Sequence, residues 1–271
     1  MTEFRSIFAR ELFQDQVAIV TGGGTGIGLA VARELGWLGA RVAIGSRKQE
    51  NIDAGLAELG TLGTEAMGLK LDIREPESCQ TFATRVIERF GKVDVLVNNA
   101  GGQFPSPAQS LSARGWEAVI RNNLNGPFFM THAVASLAMI PARRGRIVNV
   151  IANIARGFPG MVHTGAARAG VENMTKTLAV EWASHGVRVN ACAPGVIRST
   201  GTQQYGESTL ELSRQSTPLK RLGTVEEVSS VVVFLASDQN DYVTGSTYYV
   251  DGAGSLWGDV WPIEEPQTNA P

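Results

Sequence analysis

Only two cysteines, Cys79 and Cys192, and three histidines occur in 271 residues, and each scarcity closes off a class of chemistry. Two thiols cannot build a disulfide framework and lack the spacing of a metal site, which fits a reducing compartment. Three dispersed histidines with no chelating acidic motif beside them give no metal centre, so no catalytic metal is expected. No run reaches the ~18–20 uninterrupted apolar residues that a membrane span needs. The opening stretch, MTEFRSIFARELF, lacks the apolar core of a signal peptide. A surplus of one charge is also missing. The 24 Lys and Arg against 26 Asp and Glu leave a formal net charge of -2. The basic residues are scattered, so neither nucleic acid nor a basic partner is indicated. Small-molecule chemistry in the cytoplasm is the expectation.

What the chain does have is glycine, 31 in all, and a repeated alternation of short apolar runs with amphipathic stretches. The runs are QVAIVTG, ARVAIGS, EAMGLKLDI, VDVLVNN, GRIVNVI, VRVNACAPG and STYYVDG. Near-continuous apolar strands separated by helices predict a parallel sheet covered on both faces. The handedness of such crossovers then gives an α/β, single-domain, doubly wound fold of Rossmann type. No repeat or linker divides the pattern. The expected organisation is an N-terminal arm (1–13), one dinucleotide-binding and catalytic domain (14–256) and a C-terminal tail (257–271). Phe4, Ile7, Phe8, Leu12 and Phe13 have helical spacing and suit an arm packed on the body. The polar segment at 197–221 breaks the rhythm and reads as a mobile cover over the substrate. Trp257 and Trp261 belong either to a surface tail or to an anchor on a neighbouring subunit.

VTGGGTGIG follows the first strand and opens a helix. Gly22, Thr25, Gly26, Ile27 and Gly28 thus stand where backbone must turn sharply and approach a pyrophosphate, and the free N–H groups of the helix start favour that anion. Strand, turn and helix together make this glycine pattern more than a bare motif. The second strand ends in Ser46, Arg47 and Lys48, where an acid would otherwise accept bonds from a ribose 2′-hydroxyl. A guanidinium fork and an ammonium there suit a 2′-phosphate, so NADP(H) is expected over NAD(H). Alternatively, Arg47 and Lys48 form only a solvated helix start.

With these motifs in place, the chain resembles the short-chain dehydrogenase/reductase family from about residue 14 to 255. The residues that carry the match are TGGGTGIG, LDI with Asp72 and Ile73, NNAG with Asn99, Ala100 and Gly101, RNNLNG with Asn123, GRIVNV, RVNACAPG with Pro194 and Gly195, and YYVDGAG. The stretches around Gln103 and around Val162 look narrower still, similar to peroxisomal trans-2-enoyl-CoA and 2,4-dienoyl-CoA reductases. The resemblance implies that Asp72 and Ile73 hold the adenine and that Asn99 to Gly101 floor the adenine ribose. It also implies that Ile197 and Thr200 cover the nicotinamide amide, and that the chain forms a homotetramer through the helices containing Asn123 and Thr164.

The family's usual site combines a serine, a tyrosine that passes a proton, a lysine one turn later and an asparagine. Asn123 matches the asparagine, but Ala152 falls at the serine. Counting back 30 residues from Pro194 puts Thr164 at the tyrosine and Arg168 at the lysine. Glu172 and Lys176 repeat that spacing two turns deeper and read as a structural ion pair. A threonine hydroxyl is too weak an acid for proton transfer, yet it can donate to an oxygen that becomes negative. Arg168 can bond ribose hydroxyls and hold a fixed charge without surrendering a proton.

Conjugate reduction tolerates such a site better than alcohol oxidation does. It needs oxyanion donors at a thioester oxygen rather than a proton delivered there. The expected activity is therefore NADPH-dependent reduction of an enoyl or dienoyl thioester, with acyl-CoA as the expected carrier. Gln103, Asn153, His163 and Tyr205 are further candidates for contacting the substrate. The competing readings are an alcohol or ketone oxidoreductase using His163 or Tyr205, and an NADP-binding scaffold without turnover.

Overall fold

The computed structural model describes residues 6–199, 201–202, 206–257 and 263. Four expectations, those on Phe4, Thr200, Tyr205 and Trp261, lie outside the described residues.

All seven apolar runs form strands: β1 (Val17–Thr21), β2 (Arg41–Ser46), β3 (Ala66–Lys70), β4 (Val95–Asn98), β5 (Gly145–Val150), β6 (Val187–Pro194) and β7 (Thr247–Val250). They pair in parallel in the order β3-β2-β1-β4-β5-β6-β7. β1, β4 and β5 are buried along their whole length. That explains why they read as unbroken apolar runs rather than as alternating ones. The chain moves outward from β1 to β3 and then returns to β4 on the other side of β1. The carboxyl ends of β1 and β4 thus frame the crevice where ligands bind in such sheets.

Two apolar layers hold the helices on. One gathers Val31, Leu35, Val228 and Val232 of α1 (Gly26–Trp37) and α9 (Val225–Ala236) over Val20, Val97 and Val148. The other gathers Phe82, Val86 and Met130 of α3 (Pro76–Phe90) and α5 (Gly126–Val134) over Ile19, Leu96 and Ile147. Truncating Leu35, Met130, Ile19, Leu96 or Ile147 to alanine costs about 2–5 kcal/mol. The N-terminal arm folds onto the first layer. It does so through turns rather than a helix, with Phe13 buried, Phe8 and Leu12 against the core, and Ile7 exposed. No helix among the described residues is long and apolar enough to cross a membrane.

The helical run from Ala113 to Ala142 is broken twice by π turns, at Arg121–Asn125 and Ala135–Met139. Each precedes a proline. Pro127 has no N–H to offer the Asn123 carbonyl four residues back, and Pro141 none for Leu137, so the ladder widens by one residue at both places.

Candidate active site

The first turn of α1 has no side-chain cap, and its N-cap Thr25 is extended. Its N–H groups are therefore left for a ligand. Glycine is required around it. Gly22 has φ +66°, a Cβ on Gly24 would lie 2.1 Å from the Asn51 carbonyl oxygen, and one on Gly28 would lie 2.3 Å from that of Gly22. Thr21 Oγ accepts from the backbone N–H of both Asn99 and Ala100 at 3.0 Å, and Asn99 Nδ2 donates to Thr21 O at 3.0 Å. This pins the chain after β4 beside the glycine turn.

The resulting cavity, about 320 Å³, is lined by Gly22, Thr25, Gly26, Ile27, Ser46, Arg47, Lys48, Ile73, Asn99, Ala100 and Gly101 among others. Among the described residues, two cations and no carboxylate line it. Glycine cradle, open helix start and basic wall fit a phosphorylated dinucleotide. Two of the expected cofactor residues line neither this cavity nor the one that adjoins it. Gly28 is buried and closes the packing between α1 and the glycine turn. The Asp72 carboxylate is held in a fork by Arg74, at 2.8 Å to Nε and 2.5 Å to Nη2, and this keeps it below the usual carboxylate range.

A second cavity, about 480 Å³, adjoins the first and shares Ile27, Asn99, Gly101, Ser199 and Gly201 with it. It brings together Gln103, Asn153, Arg168, Pro194, Gly195 and Ile197 of the expected residues. Ile151, Ala152, Phe158, Met161, Val196 and Leu210 supply apolar wall. The segment expected to cover the substrate contributes Thr202, Thr209, Leu210 and Ser213, the last three from a short helix, α8 (Glu207–Gln215). Asn153 is already engaged, with Nδ2 donating to Asp251 Oδ2 at 2.9 Å.

Among the described residues, Arg168 is the one charged group on this wall. It lies on α7 (Val162–Glu181) and is 8% exposed, and its side chain has no ion pair or hydrogen bond among the described residues. Burial alone pushes its pKa down to about 10, with no carboxylate to offset it. Gly101 lies directly beneath it: a Cβ there would fall 2.5 Å from Arg168 Nη2 and 2.9 Å from Asn123 Oδ1.

Asn123 and Thr164 do not reach either cavity. Asn123 is fully buried and clamps the backbone of Gly102, accepting its N–H at 3.1 Å and donating to its carbonyl at 2.8 Å. It therefore fixes the loop under Arg168 rather than facing a ligand. Thr164 is fully buried with Oγ 3.4 Å from His163 Nδ1, which also accepts the Thr164 backbone N–H at 2.8 Å. The hydroxyl expected to serve as an oxyanion donor is turned into the fold instead. His163 is also buried, stacked edge-on against Phe104 at 4.7 Å, with Nε2 lacking a hydrogen-bond partner. Lys176 pairs with Glu172 at 3.0 Å on the exposed part of α7, as its spacing predicts.

Several wall residues carried no motif signal. Phe158, Met161 and Leu210 come from loops or a helix whose placement depends on tertiary packing. Thr21 was visible only as the residue before the glycine turn.

A seven-stranded parallel sheet with a glycine cradle at the β1–β4 crevice, and a buried cation at the lysine place of α7, defines a nicotinamide-dependent oxidoreductase site. The chain belongs to the short-chain dehydrogenase/reductase family, whose members bind a nicotinamide cofactor. Residues 22–254 match the family model described as enoyl-(acyl carrier protein) reductase. The chain is 38% identical to a probable 2,4-dienoyl-CoA reductase of Bacillus subtilis (strain 168), covering 92% of this chain and 100% of that protein. It is 39% identical to the peroxisomal 2,4-dienoyl-CoA reductase of Danio rerio, over 94% and 87%. Among solved structures, a citronellol catabolism dehydrogenase of Pseudomonas aeruginosa PAO1 superposes with a TM-score of 0.85 at 43% identity, over 93% and 100%.

Proposed function

We propose that the chain reduces the carbon–carbon double bond of an enoyl or dienoyl thioester, carried as acyl-CoA, with NADPH as the preferred reductant. The carrying observation is the second cavity. Among the described residues, its wall holds no side chain that exchanges a proton near neutrality, but it does hold one buried, unpaired guanidinium. When bound, the nicotinamide cofactor supplies the hydride. Addition at the β-carbon moves the electron pair of the double bond through the α-carbon onto the thioester oxygen. Arg168 meets that developing charge with N–H donors in a water-poor wall, where such donors act most strongly. It also offers hydrogen bonds to ribose hydroxyls. Asn123 and the Gly102 backbone hold the loop beneath it. The α-carbon then takes its proton from solvent, which removes the need for a tyrosine.

Arg47 and Lys48 on the first cavity wall support the NADPH preference, and the names of the two dienoyl-CoA reductases support the substrate class. Exposed Phe128, Leu137, Val162 and Val180, on the helices bearing Asn123 and Thr164, support the homotetramer. Two buried free cysteines fit cytoplasmic residence. The test is consumption of NADPH by purified protein with enoyl-CoA and dienoyl-CoA of several chain lengths. Absence of turnover on all of them overturns the reading. The citronellol dehydrogenase likeness favours one alternative, oxidation of alcohols. Activity on secondary alcohols that vanishes on replacing His163 or Tyr205 would establish that instead.

A further inference from the structure

Four arginines that stand in separate stretches of the sequence, three in RRGR at 143–146 and one in VRV at 187–189, meet in the fold. β5 and β6 run in parallel with Arg146 directly opposite Arg188, so both side chains leave the same face of the sheet. Like charges opposite one another on neighbouring strands repel. Arg143 and Arg144, from the turn that leads into β5, join them in a hollow of about 480 Å³ at the amino ends of these strands. Both cavities described above lie at the other end of the sheet. Asp238 and Asp241, just beyond α9, supply the only carboxylates on the hollow's lining among the described residues. Four arginines against two aspartates leave it a net charge of +2. The buried member is Arg146, 6% exposed. Its Nη1 donates to the Gly145 carbonyl at 3.1 Å and its Nη2 pairs with Asp241, while Nε has no partner. Burial holds the Arg146 pKa below the usual guanidinium range; Asp241 raises it, and Arg188 and Arg144 push it down, so both arginines are within electrostatic reach.

The outer three arginines are only partly engaged. Arg143 donates from Nη2 to the Ser184 carbonyl at 2.7 Å, Arg144 from Nη2 to the Asp238 carboxylate at 3.0 Å, and Arg188 from Nε to the Asp241 carbonyl at 2.7 Å. Each keeps two nitrogens without a partner among the described residues. We infer that this hollow binds a diphosphate group. Three guanidinium groups with two free nitrogens each ask for about six acceptor oxygens, which the terminal oxygens of a diphosphate supply and a single phosphate or carboxylate does not. Its negative charge also answers the surplus of +2 and relieves the repulsion between Arg146 and Arg188.

The test is calorimetric titration of the NADPH-saturated protein, whose glycine cradle is then filled, with inorganic pyrophosphate and with ADP, which carries the same group on a nucleoside. One ligand binds per chain, and its affinity falls about tenfold in R188Q and in R144Q and further in the double variant. R85Q, which removes one exposed cation of α3 outside the hollow, leaves the affinity unchanged. Pyrophosphate at ~100-fold its Kd raises the melting temperature by several degrees, and sodium chloride of equal ionic strength does not. Tighter binding of ADP assigns a nucleotide as the source of the group, tighter binding of pyrophosphate the free anion, and both sustain the site. Binding of neither ligand, an equal loss in R85Q, or an affinity that survives the double variant overturns it.

Discussion

Replacing Arg168 by methionine should make the free protein more stable and the enzyme nearly inactive. The magnitude follows from the burial of an unpaired cation. Its pKa falls from the usual guanidinium range to about 10 because the folded state penalises the charged form. At about 1.4 kcal/mol per unit, that is a penalty of about 3 kcal/mol, with a floor of about 1 kcal/mol where water enters the cavity. Methionine fills similar volume without charge. Its melting temperature should therefore rise by roughly 2–12 °C, taking ~2–4 °C per kcal/mol for a domain of this size. The sign with pH is fixed by the same shift. The folded chain holds the Arg168 proton less tightly than the unfolded chain, so the penalty is complete below about 10 and is relieved only as pH climbs from there towards the usual guanidinium range. The wild type gains stability across that window, and the variant does not. Turnover should fall by about 10²–10³, as for loss of an oxyanion donor. Thermal unfolding with and without NADPH, alongside steady-state rates, reads both effects. A variant that melts several degrees lower, or that keeps its turnover, would refute the reasoning, because Arg168 would then be holding the fold rather than facing the reaction.

Three other outcomes are expected. Asn123→Ala strands the Gly102 N–H and carbonyl, and chemical denaturation should show a loss of about 2–4 kcal/mol together with a higher KM for NADPH. Removing both Arg47 and Lys48 as alanines should weaken NADPH about 10- to 100-fold in fluorescence titration and leave NADH almost unchanged, since only the 2′-phosphate loses partners. Thr164→Val should keep kcat within a few-fold, because its hydroxyl is buried against His163 and off the cavity wall. A loss beyond about 100-fold would return Thr164 to the chemistry.

The central strands β1, β4 and β5 were legible because each is buried along its whole length, which writes an unbroken apolar run into the sequence. The glycine turn was legible because Gly24 and Gly28 leave no room for a Cβ and Gly22 has a positive φ. The register that places Arg168 survives in plain counting from Pro194. What counting does not give is rotation. Thr164 and Arg168 share a helical face by spacing, yet only Arg168 reaches the cavity. His163 captures the Thr164 N–H with its own ring and is itself fixed by Phe104, nearly sixty residues earlier in the chain. Asp72 misled for a similar reason. Its partner Arg74 is two residues away in a turn, where no periodic pattern announces a contact. The π turns, by contrast, were written in Pro127 and Pro141, and a reading that asked which carbonyls those prolines leave unbonded would have found them.

The charge of the two cavities also bears on the direction of the reaction. Neither wall carries a carboxylate among the described residues, so the positive charge of Arg168 has no fixed counterion and must find one in whatever binds. An oxidised nicotinamide ring carries a positive charge and a reduced one does not. Sharing a desolvated cavity with an uncompensated guanidinium therefore disfavours the oxidised cofactor by about 1–2 kcal/mol, taking like charges roughly 10 Å apart at an effective dielectric constant of ~20. A family site with an ionisable tyrosine can offset that repulsion with a phenolate, and this one cannot. NADPH should accordingly bind about 10-fold more tightly than NADP+, and the ratio should collapse towards unity in the Arg168→Met variant, where calorimetric titration of both forms reads it directly. Equal affinities in the wild type would mean that a counterion reaches Arg168 in solution, and the electrostatic case for a dedicated reductase would fall with it.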